Sequence, residues 1–371
     1  MPPQQPTMRD VARLAGVSAA TVSRVVNNER YIRPETRASV ERAIAELGFH
    51  RNEIARTLRP GQTADTIALV IEDPANPFWS AITRGVEETA RRYQHMLVVG
   101  STGLSFEQER DLLRDLVRRR VDGLLVVPTP HAHRELHAEL ARWAPMVFID
   151  RVPRGVPADS VVLDNRGGAR DAVAHLLARG HRQVAYVGGD PAVSTGASRL
   201  AGYRQALRSA GLSYDPGLVS LGNHTVEAAW AAATGLLNGP AAADAIFADN
   251  NRMCLGVLHA VDRHGTDVGV AAFDDVELAD LLAIPVALVT YDAVEIGRHA
   301  AELLFERIGG GSGPFRRAVH PTTLVVRGGD RTVRTGSSAT PELPPPTRGG
   351  GRVASSYVRR TGSCPVDRAV R

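Results

Sequence analysis

Two hydrophobic rhythms divide this chain. Within residues 7–47 apolar side chains recur three and four apart, the spacing of amphipathic helices, whereas from Thr66 onward short β-branched runs alternate with helical stretches. The first helix is predicted to start at Thr7, with Asp10 in the capping-box position, and to bury Val11, Leu14 and Ala15. Gly16 stops it. Val17 points into the turn and Ser18 caps a second helix, in which Val22, Val25 and Val26 form the buried side while Ser18, Thr21, Ser23, Arg24 and Asn27 stay polar. A third helix runs from Pro34, at a first-turn position, to Leu47. Two helices joined by so tight a turn make a helix-turn-helix. The polar face of the second carries short hydroxyls, an Arg and an Asn, side chains able to reach phosphates and base edges in a major groove. The same geometry also fits a surface helical hairpin with no special role.

From Thr66 the runs read IALVIED, AITRGVEETARRY, HMLVVGS, FEQERDLLRDLVRRR and VDGLLVVPT. A second set follows: MVFID, GGARDAVAHLLARG, QVAYVGG, SRLAGYRQALRSAG, AIFADN, CLGVLHAVDRHG and VGVAAFDD. Strand and helix alternating in this way predict parallel sheets with crossover helices, whose ligands sit beyond the carboxyl ends of the strands. Beyond Asp330 the chain is rich in Pro, Gly, Ser and Arg without apolar period, so it is expected to be disordered. Residues 1–6 are expected to be a disordered leader.

At 371 residues, with 43% hydrophobic and 23% charged, the chain has the composition of a soluble globular protein larger than one typical domain. No apolar run approaches the ~18–20 residues of a membrane span. MPPQQPTMRD lacks the basic and apolar regions of a signal peptide, and Cys254 and Cys364 lie far apart, so a reducing cytoplasm without disulfides is expected. Charge is unevenly placed. The net +4 combines +4 in residues 1–60 and +5 from 332 onward with −5 between them, which suits a nucleic-acid-binding headpiece on a body with other work. Every basic residue among these 44 is Arg, which Arg-biased codon usage explains better than a need for guanidinium.

The wording is more specific than the pattern. DVARLAGVSAATVSRVVN, then Arg33-Pro34-Glu35-Thr36-Arg37, Ala45-Glu46-Leu47-Gly48-Phe49 and Asn52-Glu53-Ile54-Ala55-Arg56-Thr57-Leu58, resembles the LacI/GalR family of bacterial transcription regulators; looser resemblance extends to about Asp330. The resemblance implies an all-α helix-turn-helix headpiece plus an α/β two-lobed periplasmic-binding-protein-like domain with parallel sheets. The headpiece would span 1–51, a hinge helix and linker 52–61, the effector-binding and dimerisation domain 62–331, and a disordered basic tail 332–371. The lobes would be joined by crossings near Val161–Asn165, Leu288–Asp292 and Pro321–Leu324. Implied DNA contacts are Thr7, Ser18, Ala19, Ala20, Thr21, Ser23, Arg24, Asn27, Tyr31, Arg33, Thr36, Asn52, Ala55, Leu58 and Arg59. Ala19 and Ala20 offer only apolar contact, for example to a thymine methyl, which leaves guanine readout to Arg24. Arg33 stands where the family has a small cap, so this helix start is expected to be weak. A helix as short as 52–58 is marginal alone, because nucleation is costly; in the family two copies pair over the minor groove, and Leu58 matches the wedge residue.

Phe78 and Trp79, after the first strand, offer aromatic faces to an effector or belong to plain core, and the effector contacts the resemblance implies are Asp150, Arg151, Arg199, His224, Asn250 and Asp274. Each charged residue alone also fits a structural ion pair. His224 replaces an aromatic wall, Asn250-Asn251 the commoner Asn-Asp, and Asp292-Ala293 the usual Gln-Pro, and the stretch from Gly265 to Phe273 is shorter than usual. These departures leave the ligand's identity open. No catalytic constellation and no cofactor motif is found: GxSxG, a P-loop and HExxH are missing, and Gly188-Gly189 is too short for a dinucleotide fingerprint. His131-Ala132-His133 has no third partner for a metal, so none is expected. The expectation is a repressor, not an enzyme, acting in the cytoplasm at the nucleoid. Its partners would be pseudo-palindromic double-stranded operator DNA, a sugar or related metabolite as effector, and a second copy in a homodimer, with no membrane. A solute-binding protein of transport and a sugar- or nucleoside-handling enzyme are the alternatives on the same scaffold. The tail's lone Leu343 gives no heptad for tetramers.

Overall fold

The computed structural model describes residues 6–26, 31–49, 64–130, 134–153, 155–265 and 267–329. Asn27, the hinge with Asn52, Ala55, Leu58 and Arg59, His131, His133, the leader up to residue 5 and the tail 332–371 lie outside the described residues.

The amino-terminal helices are α1 (Met8–Ala15), α2 (Ala19–Val26) and α3 (Pro34–Leu47). Thr7 caps α1 through the expected reciprocal pair: the Asp10 N–H donates to the Thr7 hydroxyl at 3.4 Å and the Thr7 N–H donates to the Asp10 carboxylate at 3.0 Å. Gly16 closes the helix at φ +68, a left-handed conformation that favours a residue without Cβ. The Thr21 N–H donates to the Ser18 hydroxyl at 3.1 Å, so the second helix also has its expected cap. Val11, Val22 and Val40, one from each helix, are wholly buried in a common core with Ala12, Val25, Ala43 and Phe49. Leu14 departs from expectation, being 45% exposed. Three short helices close around Val11 and Ala12, and at 3.6 residues per turn Leu14 lies about 110° round from the centre of that face. Arg33 makes no side-chain cap to α3, the weak start that its identity implies.

The larger part begins with β1 (Thr66–Ile71), α4 (Pro77–Arg92), β2 (Met96–Ser101), α5 (Phe106–Arg118), β3 (Gly123–Val126), α6 (Arg134–Leu140), β4 (Met146–Ile149) and β5 (Asp159–Leu163). It continues through α7 (Asn165–Ala178), β6 (Val184–Val187), α8 (Ser194–Ser209), β7 (Val219–Ser220), α9 (Val226–Asn238), β8 (Ala245–Ala248), α10 (Asn251–His264), β9 (Gly269–Phe273) and β10 (Val286–Thr290). It ends with α11 (Ala293–Ile308), β11 (Arg317–His320) and β12 (Thr323–Arg327). One sheet, ordered β11-β5-β4-β3-β1-β2, is parallel throughout; the other, β12-β10-β9-β8-β6-β7, is parallel except where β12 runs against β10. Helices cover both faces of each sheet. That is why a central strand such as β1 reads as an uninterrupted apolar run, with Ile67 through Ile71 all buried, instead of alternating.

The chain passes between the two lobes three times: from Leu163 to Asn165, from Thr290 to Ala293, and from His320 to Thr323. The last helix α11 therefore returns to the first lobe and packs on α4. Gly85 and Gly297 make this approach possible. A Cβ on Gly85 would meet the Val294 carbonyl oxygen at 1.9 Å, and one on Gly297 the Ile82 carbonyl oxygen at 2.1 Å. Helices α9 and α11 were not among the runs legible from periodicity. Small residues dilute the apolar stripe of α9, and α11 buries most of its circumference against α4 and the first sheet.

Candidate functional site

Two places gather polar side chains that the fold itself does not require. On the headpiece, α2 turns Val22 and Val25 inward, which leaves Ser18, Ala19, Ala20 and Arg24 exposed and Thr21 and Ser23 half-buried along one outer edge. The Ser18 and Thr21 hydroxyls lie 2.9 Å apart. Arg24 makes no hydrogen bond or ion pair with a described residue, so its guanidinium is available to a partner. Tyr31 is wholly exposed at φ +78, and Thr7, Arg33 and Thr36 lie at the amino-terminal ends of α1 and α3. The described DNA candidates thus share helix starts and the exposed side of α2. A helix start presents unpaired N–H groups, which suits phosphate.

The second place is a cavity of about 320 Å³ between the carboxyl ends of the two sheets. Glu72, Asp73 and Asn76 follow β1, Asp150 and Arg151 follow β4, Asn223 and His224 follow β7, Asp249 and Asn250 follow β8, and Asp274 follows β9. Phe78, Trp79, Asp150, Arg151, Arg199, His224, Asn250 and Asp274, every residue singled out from the sequence as an effector contact, line this one cavity. Phe78 and Trp79 follow the first strand as expected, but in a helix and not in a loop. Asn76 caps α4, accepting the Phe78 N–H at 3.1 Å, and both aromatics ride in the first helical turn. Their rings are 4.5 Å apart, with Trp79 sunk to 3% exposure in the core and Phe78 nearer the space.

Arg199 projects from α8 and is almost fully engaged by the protein. Its Nε donates to Asn165 Oδ1 at 2.7 Å, Nη1 donates to the Asp249 backbone carbonyl, Nη2 lies 3.9 Å from Asp274, and Cζ stands 3.8 Å over the Phe273 ring. Burial by itself would lower its pKa, but the carboxylates of Asp274, Asp249 and Asp150 more than offset this and keep it raised. Asp274 accepts the Tyr291 hydroxyl and, at 3.4 Å, the Asn251 N–H. Its own φ of +73, like the +69 of Asp150, places a non-glycine residue in the left-handed region at a strand end, the kind of backbone strain that functional sites hold. Arg151 pairs with Glu72 and lies 3.6 Å from Asp150, leaving its buried Nε without a hydrogen-bond partner. Burial pushes the Asp150 and Asp249 carboxyls upward, opposed chiefly by Arg151 for the former and Arg199 for the latter. The lining holds six carboxylates, Glu72, Asp73, Asp150, Asp190, Asp249 and Asp274, against three guanidiniums, Arg151, Arg199 and Arg252. Such a site is ill suited to phosphate and well suited to hydroxyl groups, which donate to carboxylates and accept from guanidinium.

The two lobes touch through a reciprocal amide pair: Asn251 Nδ2 donates to Asn76 Oδ1 at 3.0 Å, and Asn76 Nδ2 to Asn251 Oδ1 at 3.5 Å. Reading the sequence missed this pair, together with Asp249, Glu72, Asn223 and Tyr291. Asp249 and Glu72 were within reach, because each lies inside a strand-end run, AIFAD and IALVIE. Tyr291 follows a crossing strand and carried no such signal.

Two family models match the chain: that of bacterial regulatory proteins of the lacI family over residues 7–52, and a periplasmic binding protein-like domain over 173–329. The transcriptional regulator CelR of Thermobifida fusca is 38% identical over 339 residues, covering 87% of this chain and 98% of that protein. The transcriptional repressor PurR of Vibrio atlanticus is 33% identical over 308 residues, covering 81% and 92%. Among solved structures, a CelR–cellobiose complex is 35% identical with a TM-score of 0.65, covering 87% of this chain and 99% of that one. The lac repressor dimer bound to operator and the anti-inducer ONPF is 26% identical with a TM-score of 0.76, covering 87% and 98%.

Proposed function

Since the chain belongs to the lacI family of bacterial regulatory proteins and is a DNA-binding transcriptional regulator, we propose that it is an operator-binding repressor whose grip on DNA is set by a sugar in the interlobe cavity. The observation that carries the effector reading is the convergence of Phe78, Trp79, Asp150, Arg151, Arg199, His224, Asn250 and Asp274 around one space. Phe78 supplies an apolar ring for a pyranose face, while the acidic lining favours a neutral polyhydroxylated ligand over a phosphorylated one. The cellobiose bound by the relative CelR is a ligand of this class.

The headpiece, residues 1–51, reads a pseudo-palindromic site with Arg24 on guanine and Ala19 and Ala20 in apolar contact. The segment 52–61, with Leu58, couples it to the body 62–331. The protein acts as a homodimer by binding and not by catalysis, and it works in the cytoplasm; no described helix is long and apolar enough to cross a membrane. Exposed apolar side chains support pairing of copies: Met96 and Val99 on the edge strand β2 are 62% and 43% exposed, and Leu278 and Leu281 in the second lobe 75% and 66%. An unpaired apolar edge is otherwise an aggregation hazard.

Fluorescence anisotropy of the full chain on promoter DNA adjoining its own gene tests the reading, with neutral mono- and disaccharides set against sugar phosphates and nucleobases. A neutral sugar should change operator affinity about 5–150-fold, the usual span of a coupling free energy of about 1–3 kcal/mol. Response to sugar phosphates or nucleobases alone would overturn the sugar assignment, and salt-independent DNA binding would overturn the Arg-rich headpiece account.

A further inference from the structure

At the opposite, amino-terminal end of the first sheet, three potential metal ligands meet on three adjacent strand starts. Asp65 precedes β1, His95 precedes β2 and Asp122 precedes β3, and one ligand atom from each lies within 4.8 Å of the other two. Backbone bonds fix all three positions: the Met96 N–H donates to the Asp65 carbonyl at 2.7 Å, the Asp122 N–H to the Thr66 carbonyl at 2.8 Å, and the His95 N–H to the Ala90 carbonyl at 2.9 Å. The Asp122 carboxylate is oriented as well, accepting the Ala64 N–H at 2.9 Å on one oxygen and the Thr66 N–H at 3.0 Å on the other. Each oxygen keeps a second lone pair for another partner.

The decisive atom is His95 Nε2. The other ring nitrogen, Nδ1, lies 2.7 Å from the Tyr93 carbonyl, and since a carbonyl only accepts, Nδ1 carries the proton. That leaves Nε2 as the ring atom turned towards Asp122, and it is buried and has no hydrogen-bond partner. What it faces is Asp122 Oδ2 at 3.5 Å. Asp122 Oδ2 already accepts the Thr66 N–H, but Nε2 has no partner, and a buried polar atom left so is costly; a cation between the two would satisfy it. An N–H donated to a backbone carbonyl from the far ring nitrogen is also the arrangement that orients metal-bound histidines. The spacing of His95 and Asp122 fits: with bonds of about 2.0–2.1 Å, two ligands of a tetrahedral ion lie about 3.4 Å apart, against 3.5 Å here.

We propose that Asp65, His95 and Asp122 bind a divalent transition ion of the Zn²⁺ or Co²⁺ kind, with solvent completing the tetrahedron. Such an ion would tie the first residues of the body to the starts of β2 and β3, at the point where the chain enters the first sheet. The choice of one nitrogen and two carboxylate oxygens suits Zn²⁺ or Co²⁺ better than Mg²⁺ or Ca²⁺, which take oxygen ligands.

Titrating the metal-stripped full chain with Co²⁺ reads the site directly, because a tetrahedral Co²⁺ ion gives intense visible absorption. One ion per chain should bind, Zn²⁺ should displace it, and either ion should raise the melting temperature. Asp65→Asn and His95→Gln should each weaken binding more than about 100-fold, beyond the roughly 10–100-fold that loss of a supporting group costs. Asp65→Asn is the safer variant for folding, since at φ +49 asparagine is well tolerated. If His95→Gln fails to fold, Asp65→Asn alone decides. Equal binding by Asp65→Asn and the parent would place the ion elsewhere, for instance at His131, His133 or Cys364, and overturn the proposal. So would failure of the parent to bind, which would leave a proton as the bridge between His95 and Asp122.

Discussion

Replacing Arg199 by methionine should destabilise the protein by about 3–5 kcal/mol at neutral pH, the cost of breaking a buried ion pair by removing one partner. Methionine keeps much of the side-chain volume and stays flexible, so the loss isolates charge and hydrogen bonding from cavity formation. Arg199 is 7% exposed, and its guanidinium donates at 2.7 Å to Asn165 and lies 3.9 Å from Asp274. Without it Asp150, Asp249 and Asp274 share a buried space that has lost its central cation. Burial already raises the Asp150 and Asp249 carboxyls, with Arg199 among the groups opposing it, so the variant should raise both further. A carboxyl whose folded pKa lies above its unfolded value of about 3.9 binds more protons folded than unfolded between the two, so stability falls as pH rises through that window. The variant's deficit should therefore be smaller near pH 5 than near pH 7.5. Urea unfolding of parent and variant at both pH values, followed by circular dichroism, measures this. A deficit under about 1 kcal/mol, or one equal at both pH values, would refute the view that Arg199 holds the acidic cavity together as well as facing its ligand.

Three further outcomes are expected. Arg24→Ala should weaken operator binding by about 1–3 kcal/mol and relax one base position in each half-site; an unchanged binding-site profile, read by selection from randomised DNA, would remove Arg24 from base readout. Asn251→Ala deletes the 3.0 Å amide bond to Asn76 between the lobes, and one neutral hydrogen bond of about 0.5–1.5 kcal/mol corresponds to an effector affinity about 2- to 12-fold lower by calorimetry. Unchanged affinity would show that the pair contributes nothing to ligand closure. Arg307→Ala removes hydrogen bonds of 2.6 and 3.2 Å to the fully buried Asp159 and should cost about 1.5–3 kcal/mol at pH 7. Burial would raise the Asp159 carboxyl, but Arg307 and the Arg316 N–H hold it below the ordinary range; this stabilisation is present above about pH 4 and is lost as pH falls through the folded value, so melting curves of parent and variant should converge in acid.

Local physics wrote much of this protein into short stretches of chain. Thr7, Asp10, Gly16 and Ser18 act on their own or neighbouring backbone, so the caps and the turn of the headpiece were legible from spacing alone. Runs such as β1, β3, β4 and β8 were legible because burial on both faces admits only apolar side chains, and the family resemblance then pointed to Asp150, Asn250 and Asp274 at strand ends. Other features depended on packing partners distant in sequence. Leu14 satisfies the helical period as well as Ala12 does, and only the arrangement of α2 and α3 decided which one the core receives. Arg199 belongs to a matching motif, yet its contacts with Asn165, Asp249 and Phe273 exist only because α7, β8 and β9 arrive beside α8. The Asn76–Asn251 bridge joins helices 175 positions apart, and Asp65, His95 and Asp122 meet only because β1 lies between β2 and β3. A sequence specifies what each residue offers its nearest neighbours, through bonds that close over a few positions. Which lone pairs, charges and rings finally face one another is decided by strand order and by the three passages of chain between the lobes, and no local preference encodes those.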